Sequence, residues 1–431
     1  MSTMEHAEKL LQLTETATSS FHTVEAAVRQ LKDAGFTELD SRDDWGLSSQ
    51  GKYYVVHHGS SLAAFTVGSE FTFREGFRIA AAHTDFPGLR LKPCPEMDDE
   101  GYARVNVEVY GGAILNTWLD RPLSMAGRVA CRGEDAFHPA VRLIDVKRPV
   151  FTIPNLAIHL NKEINKGIEL NKQTDMLPVA GMIGEKLNKE DFLIRFLAKE
   201  LHTQPEDILD YEIGIYNADA GDVIGMDGEF ISAPRLDNLT SVQALLTGLT
   251  EGERRQGINV IALFDHEEIG SRTKQGAGSL WLNTVLEKIM AGFGRDRNKY
   301  LGTLEESLLL SVDVGHAVHP GSPAKSDPTN KNKLNGGVCI KEASAQSYAT
   351  DCEAIAIVQQ ICEQENIPYQ KFANRSDGTS GGTLGSIASS VLPVRTVDVG
   401  VPLLAMHSSR ELMGAEDQES LVRLVRAYFS L

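Results

Sequence analysis

The chain lacks any Cys-x-x-Cys pair: its five cysteines, Cys94, Cys131, Cys339, Cys352 and Cys362, are odd in number and scattered. That excludes a disulfide framework or a thiolate zinc site, and buried, reduced thiols are the expectation. Long hydrophobic runs are missing too. Nothing approaches the roughly 18 consecutive apolar residues that a membrane helix requires, so no membrane is expected as a partner. Met1 to Leu10 contain neither a basic nor an apolar stretch, so no secretory signal is read and cytoplasmic residence is expected. Basic charge is in deficit, with 42 Lys and Arg against 59 Asp and Glu and a formal net charge of −17. Phosphate contacts need a basic face, so nucleic acid is not expected as a partner either. No internal repeat or low-complexity segment is visible.

What is present suits a soluble globular protein of two or three domains: 431 residues, 42% hydrophobic and 23% charged. Four strand-like apolar runs each end in a potential metal ligand: Phe77 to His83 and Asp85, Ile258 to Glu267 and Glu268, Leu308 to Asp313, and Val401 to His407. A fifth candidate, Asp237, stands just ahead of a helical pattern. Imidazole nitrogen and carboxylate oxygen are the donors that borderline divalent ions accept. A bridging carboxylate can hold two such ions about 3.5–4 Å apart. The pattern reads as a hydrolase with two divalent ions per subunit, zinc first, with manganese or cobalt compatible.

Periodicity predicts two helices in the first 40 residues, the second capped by Thr23 and stopped by Gly35, then strands over 53–56, 62–67 and 77–82. From about 93 to 235 short β-like runs dominate, at 104–110, 125–131, 141–146 and 210–216, with one helix near 191–201. Beyond residue 236 apolar strands alternate with amphipathic helices, which predicts an α/β fold with a mostly parallel sheet covered on both faces. Since His83 precedes the β-rich stretch and the other ligands follow it, the expected catalytic domain is discontinuous. It takes residues 1–92 and 236–431, with 93–235 inserted as a β-rich domain.

Each candidate has a distinct chemical role. Asp85 is close enough to accept a hydrogen bond from the imidazole nitrogen of His83 that faces away from a metal, fixing its tautomer. Asp237 is either a helix N-cap or a bridging carboxylate. Adjacent Glu267 and Glu268 repel each other unless a cation intervenes. Their expected division of labour makes Glu268 a ligand and Glu267 the base that takes a proton from water. Asp313 closes a buried strand and needs a partner for its charge. His407 is the second imidazole ligand candidate, and His316 and His319 are candidates for substrate contact. The Gly-rich loop Asp377 to Gly385 lacks the Gly-Lys-Ser/Thr ending of a phosphate-binding loop.

These residues make the chain resemble the aspartyl aminopeptidase family of co-catalytic zinc exopeptidases. The resemblance runs almost end to end, through Ser20-Phe-His22, Ala82-His-Thr-Asp85, Tyr110-Gly-Gly, Thr117-Trp-Leu-Asp-Arg121, Ala157-Ile-His159-Leu, Pro234-Arg-Leu-Asp-Asn-Leu, Asp265-His-Glu-Glu-Ile-Gly-Ser, His316-Ala-Val-His-Pro and Ala405-Met-His-Ser. It implies that His83, Asp237 and Asp313 hold one ion and Asp237, Glu268 and His407 the other, with Glu267 as general base. It also implies a dodecamer built through the inserted domain, His159 reaching a neighbouring subunit's site, and Lys341 facing an acidic substrate side chain. The expected activity is release of N-terminal acidic residues from peptides. The rivals are a two-metal aminopeptidase of broader specificity or a deacylase, and, from another class, an assembly or cargo protein with a vestigial site.

Overall fold

The computed structural model describes residues 2–70, 74–167, 169–184, 187–378 and 381–431. The chain divides into two units: Met1–Asp85 with Gly221–Met406 and Glu411–Leu431, and Phe86–Ala220 with His407–Arg410. Among the described residues no helix is long and apolar enough to cross a membrane.

The first unit is built on a nine-stranded sheet. Its strands in chain order are β1 (Thr37–Glu38), β2 (Lys52–His57), β3 (Ser61–Val67), β4 (Phe77–His83), β5 (Ile258–Phe264), β6 (Leu308–Val312), β7 (Val338–Lys341), β8 (Tyr369–Phe372) and β9 (Arg395–Gly400). They lie side by side in the order β1-β2-β3-β5-β4-β6-β9-β7-β8. The central strands β5, β4, β6 and β9 run parallel, while β3 and β7 join them antiparallel. Around them stand α1 (Thr3–Thr16), α2 (Ser20–Asp33), α3 (Leu236–Glu251), α4 (Trp281–Gly292), α5 (Arg297–Glu305), α6 (Cys352–Gln364), α7 (Leu384–Val391) and α8 (Ala415–Tyr428).

Strand side chains alternate between the sheet's faces, and both faces are buried. Ala80, Ala82, Ile261, Leu263, Leu310 and Val312 pack with α1, α2, α3, α6 and α8. Their neighbours Ile79, Ala81, Val260, Ala262 and Leu309 pack with α4, α5 and α7 on the other face. This double cover explains why the central strands read as unbroken apolar runs. It also leaves the strand ends as the place where polar residues emerge, which is where parallel α/β sheets hold ligands.

The second unit is a six-stranded antiparallel sheet in the order His138–Asp145, Leu123–Asp135, Ile208–Asn217, Gly88–Asp99, Tyr102–Tyr110 and Val179–Met182. One helix, Phe192–Leu201, joins its core through Leu193, Leu197 and Leu201, set one turn apart.

Three features depart from the sequence reading. The second helix starts at Ser20, and its cap is Ser19, whose side chain accepts from the His22 N–H; Thr23 lies inside the first turn. The second unit begins at Phe86 rather than 93, because Gly88–Asp99 continues as a strand through Pro93 and Pro95. Its pairing register shifts between Leu91 and Glu96, a break that accommodates the prolines. A third sheet, of strands two to four residues long at Asp222–Ile224, Phe230–Ala233, Glu411–Gly414, Pro402–Leu404 and Gly315–His316, belongs to the first unit. Strands that short carry too little pattern to read.

Candidate metal centre

Three adjacent parallel strands deliver the centre. His83 is the last residue of β4, Asp313 follows the last residue of β6, and Glu267 and Glu268 form a single 3₁₀ turn three residues beyond β5. His266 enters that turn with φ of 65°, and Gly270 leaves it at 97°, a conformation a glycine takes without a Cβ penalty. Asp237 arrives from the start of α3. The backbone kinks there, Asp237 and Asn238 both lying outside helical dihedrals. The Asp237 N–H is held by Glu411 Oε2 at 3.0 Å, and Asn238 Nδ2 donates to Val312 O at 3.0 Å.

The resulting geometry is tight. His83, only 1% exposed, has Nε2 3.3 Å from Asp237 Oδ1 and 3.5 Å from Asp313 Oδ1. Its Nδ1 lies 2.9 Å from the Asp85 carbonyl oxygen and 3.5 Å from Asp85 Oδ1. The Asp85 carboxylate accepts the backbone N–H groups of Glu267 and Glu268 at 3.1 and 3.2 Å. One ligand atom from each of His83, Asp237 and Asp313 lies within 4.8 Å of the others, as does one from each of His83, Glu267 and Glu268.

Electrostatics show what this crowd of acids needs. Burial pushes the Glu267 carboxyl up to about 8; His83 opposes the shift and Asp313, Asp85 and Asp237 reinforce it. Burial also raises Glu268 well above the usual carboxylate range, with Asp237 and Asp85 adding to it. Burial alone would lower His83, but Asp237, Asp313 and Asp85 outweigh it and raise the imidazole. Lys341 is buried and donates to Val314 O at 2.7 Å; burial lowers its ammonium, but Asp313 and Asp398 outweigh that and raise it. Imidazole with several carboxylates and no thiolate is the donor chemistry of borderline divalent ions, and such ions bring the positive charge that lets these acids ionise together. The residues present fit such ions.

His83, Asp85, Asp237, Glu267, Glu268 and Asp313 are thus brought together within the first unit. His407 falls in the second unit, its Nδ1 3.2 Å from Gly112 O. His159 lies in an exposed turn of the second unit. His316 and His319 are exposed; His316 lines a cavity of about 610 Å³ with Lys325 and Arg375, and His319 Nδ1 accepts from Gly321 N–H. Of the Gly-rich loop, Thr379 and Ser380 lie outside the described residues. Sequence reasoning missed Glu411 and Asp265, which hold backbone N–H groups beside the site. Asp265 was visible in the Asp-His-Glu-Glu block, but nothing in one sequence signals a carboxylate that binds its own backbone.

Known proteins share this sequence pattern and fold. The pattern of the family described as "Aminopeptidase I zinc metalloprotease (M18)" matches residues 13–429. A protein of Clostridium acetobutylicum named "Probable M18 family aminopeptidase 2" is 44% identical over 429 residues, which cover 99% of each chain. The solved structure of the Ape4 and Nbr1 complex contains a chain of similar fold, with TM-score 0.95 and 33% identity, covering 99% of this chain and 86% of that one. The S. cerevisiae mApe1 dodecamer, at 24% identity and TM-score 0.82, covers 98% of this chain and 96% of its own and shares the fold.

Proposed function

The chain belongs to the M18 family of zinc aminopeptidases, and on that premise we propose that it removes acidic N-terminal residues from peptides at a centre for two zinc ions. His83, Asp237 and Asp313 would hold one ion, and Asp237, Glu268 and His407 the other, with Asp237 shared. When bound, the ions supply Lewis-acid polarisation of the scissile carbonyl and acidify the attacking water. Glu267 takes that water's proton and returns it to the departing amine, the two transfers of a general acid–base carboxylate. Asp85 orients His83 and holds the Glu267–Glu268 backbone in place. The second unit is proposed to carry assembly, with a dodecamer implied by the resemblance, His159 reaching a neighbour's site and His316 and His319 bordering the substrate. Action on cytoplasmic peptides completes the proposal.

The observation that carries the reading is the convergence of imidazole and carboxylate ligand atoms within 4.8 Å at the ends of adjacent parallel strands. Acidic preference rests on Lys341, and its burial against Asp313 and Asp398 favours a second reading, an aminopeptidase tolerant of neutral residues. Metal analysis joined to a panel of Asp-, Glu-, Leu- and Ala-peptides and N-acyl amino acids decides. The proposal expects two zinc ions per chain, kcat/KM highest for Asp and Glu, and loss of roughly 10²–10⁴-fold in turnover in Glu267→Gln with zinc retained. Full activity in Glu267→Gln rejects the general base. Equal rates on Leu and Asp reject the acidic preference.

A further inference from the structure

Ser20, in the Ser20-Phe-His22 block, and Asp265 tie into the turn that carries Glu267. Three successive backbone N–H groups of this turn are held by two buried carboxylates. Asp265 Oδ1 accepts from His266 at 2.8 Å, and the two oxygens of Asp85 accept from Glu267 and Glu268 at 3.1 and 3.2 Å. The first of the three belongs to a residue with φ of 65°, which a non-glycine side chain disfavours unless its surroundings fix it.

Asp265 is itself anchored. Its own N–H donates to Gln275 O at 3.1 Å, and its Oδ2 faces Ser20 Oγ at 3.4 Å, in the first turn of α2. Further round the same turn, His266 Nδ1 lies 2.8 Å from Thr273 Oγ1. That end of α2 is fixed in turn: Ser19 Oγ sits 2.7 Å from His22 Nδ1, and Thr23 Oγ1 donates to Thr84 O, next to Asp85. The contacts close a ring from α2 through Thr84 and Asp85 to the Glu267 turn and back through Asp265.

We propose that Asp265, anchored on the first turn of α2, is a positioning residue for Glu267: it locks the left-handed entry to the turn and so sets where the general-base carboxylate reaches the reacting water. This rests on Glu267 being the general base. A base must lie within hydrogen-bond reach of the proton it takes, and a displacement of about 1 Å can cost roughly 10²-fold in rate. Asp265 acts through the backbone and touches no substrate. The Ser20-Phe-His22 block thereby gains a physical role as the abutment of the turn.

The test compares zinc-loaded wild type with Asp265→Ala, Asp265→Asn and Glu267→Gln on one peptide, measuring kcat, KM, zinc content and thermal midpoint. Asp265→Ala is expected to lower kcat by about 10–100-fold with KM unchanged and zinc retained, the signature of an interaction used in the transition state. Asp265→Asn keeps an oxygen that can accept the His266 N–H, and it is expected to restore most of kcat. Wild-type kcat in loaded Asp265→Ala, or an Asp265→Asn as slow as the alanine variant, overturns the proposal. Should the alanine variant fail to fold, Asp265→Glu moves the acceptor by one methylene; it too is expected to lose kcat, and wild-type kcat in it overturns the proposal. Glu267→Gln separates the two readings: if it is active, the general-base assignment has failed, whatever Asp265 does.

Discussion

His83 with Asp237 in the first unit and His138 with Asp135 in the second pair the same side-chain types at 3.3 and 2.8 Å, in opposite surroundings. The first pair is 1% and 5% exposed and the second 74% and 56%. Distance alone would rank the surface pair as the stronger. Desolvation reverses the order: charges taken out of water must find compensation, whereas water and salt already serve the exposed pair. Polar groups in the first unit lie at the ends of strands buried on both faces, so their presence needs a reason. Those along His138–Leu143 stand in solvent and need none.

The sharpest way to break this contrast is to delete both histidines. His83→Ala is expected to lose bound zinc and to lower kcat/KM by at least about 100-fold, since it removes a ligand and the partner of three carboxylates. His138→Ala should leave zinc content unchanged and kcat/KM within about twofold. Equal losses in the two variants would show that exposure is no guide to function in this chain.

Next in size is packing. Leu263, fully buried on β5, and Val141, more than half exposed on the edge strand of the second sheet, are both apolar strand residues. Leu263→Ala should cost about 2–5 kcal/mol through lost burial and the cavity left behind. Val141→Ala should stay within about 0.5 kcal/mol. Denaturant melts of the two variants, compared through their midpoints, check the ratio.

A smaller effect, with a defined sign, comes from protons. In the metal-free protein, Glu267 is raised to about 8 and Glu268 is raised too, and His83 lies above its ordinary value. Between their unfolded and folded values these groups hold more protons when folded, so metal-free stability falls as pH rises from about 5 to 8. Zinc needs ionised carboxylates and neutral imidazole, so binding expels those protons. Affinity should therefore rise by about tenfold per pH unit for each proton displaced. Calorimetric titration in two buffers of different ionisation enthalpy counts the protons. A zinc affinity flat from pH 6 to 8 would contradict the crowding of these acids.

The same contrast explains what could be read in advance. Strands buried on both faces announce themselves as apolar runs, and the first polar residue after each run is conspicuous; His83 and Asp313 were found that way. The helix Phe192–Leu201 was legible from its spacing of apolar residues. Gly88–Asp99 was not, because two prolines inside a strand argue against one until a register shift accommodates them. The two-to-four-residue strands of the third sheet and the backbone-holding roles of Asp85 and Glu411 depend on neighbours distant in sequence. No local pattern encodes them.

The smallest expected effect tests whether the second unit's surface is surface at all. Arg148 and Glu200 form a two-pronged pair, with nitrogen–oxygen distances of 2.6 and 3.2 Å, and the Arg148 guanidinium also lies 5.5 Å from the centre of the Phe196 ring. The arginine is about half exposed, so solvent screens the charges, and Glu200→Gln should cost on the order of 0.2–1 kcal/mol, shrinking as salt is added. Arg148→Ala removes the stacked guanidinium as well and should cost slightly more. These values hold for a chain whose outer face meets water. If Glu200→Gln instead approaches the loss in Leu263→Ala and resists salt, the pair is desolvated in the working protein, as it would be were another copy of the chain to cover this face.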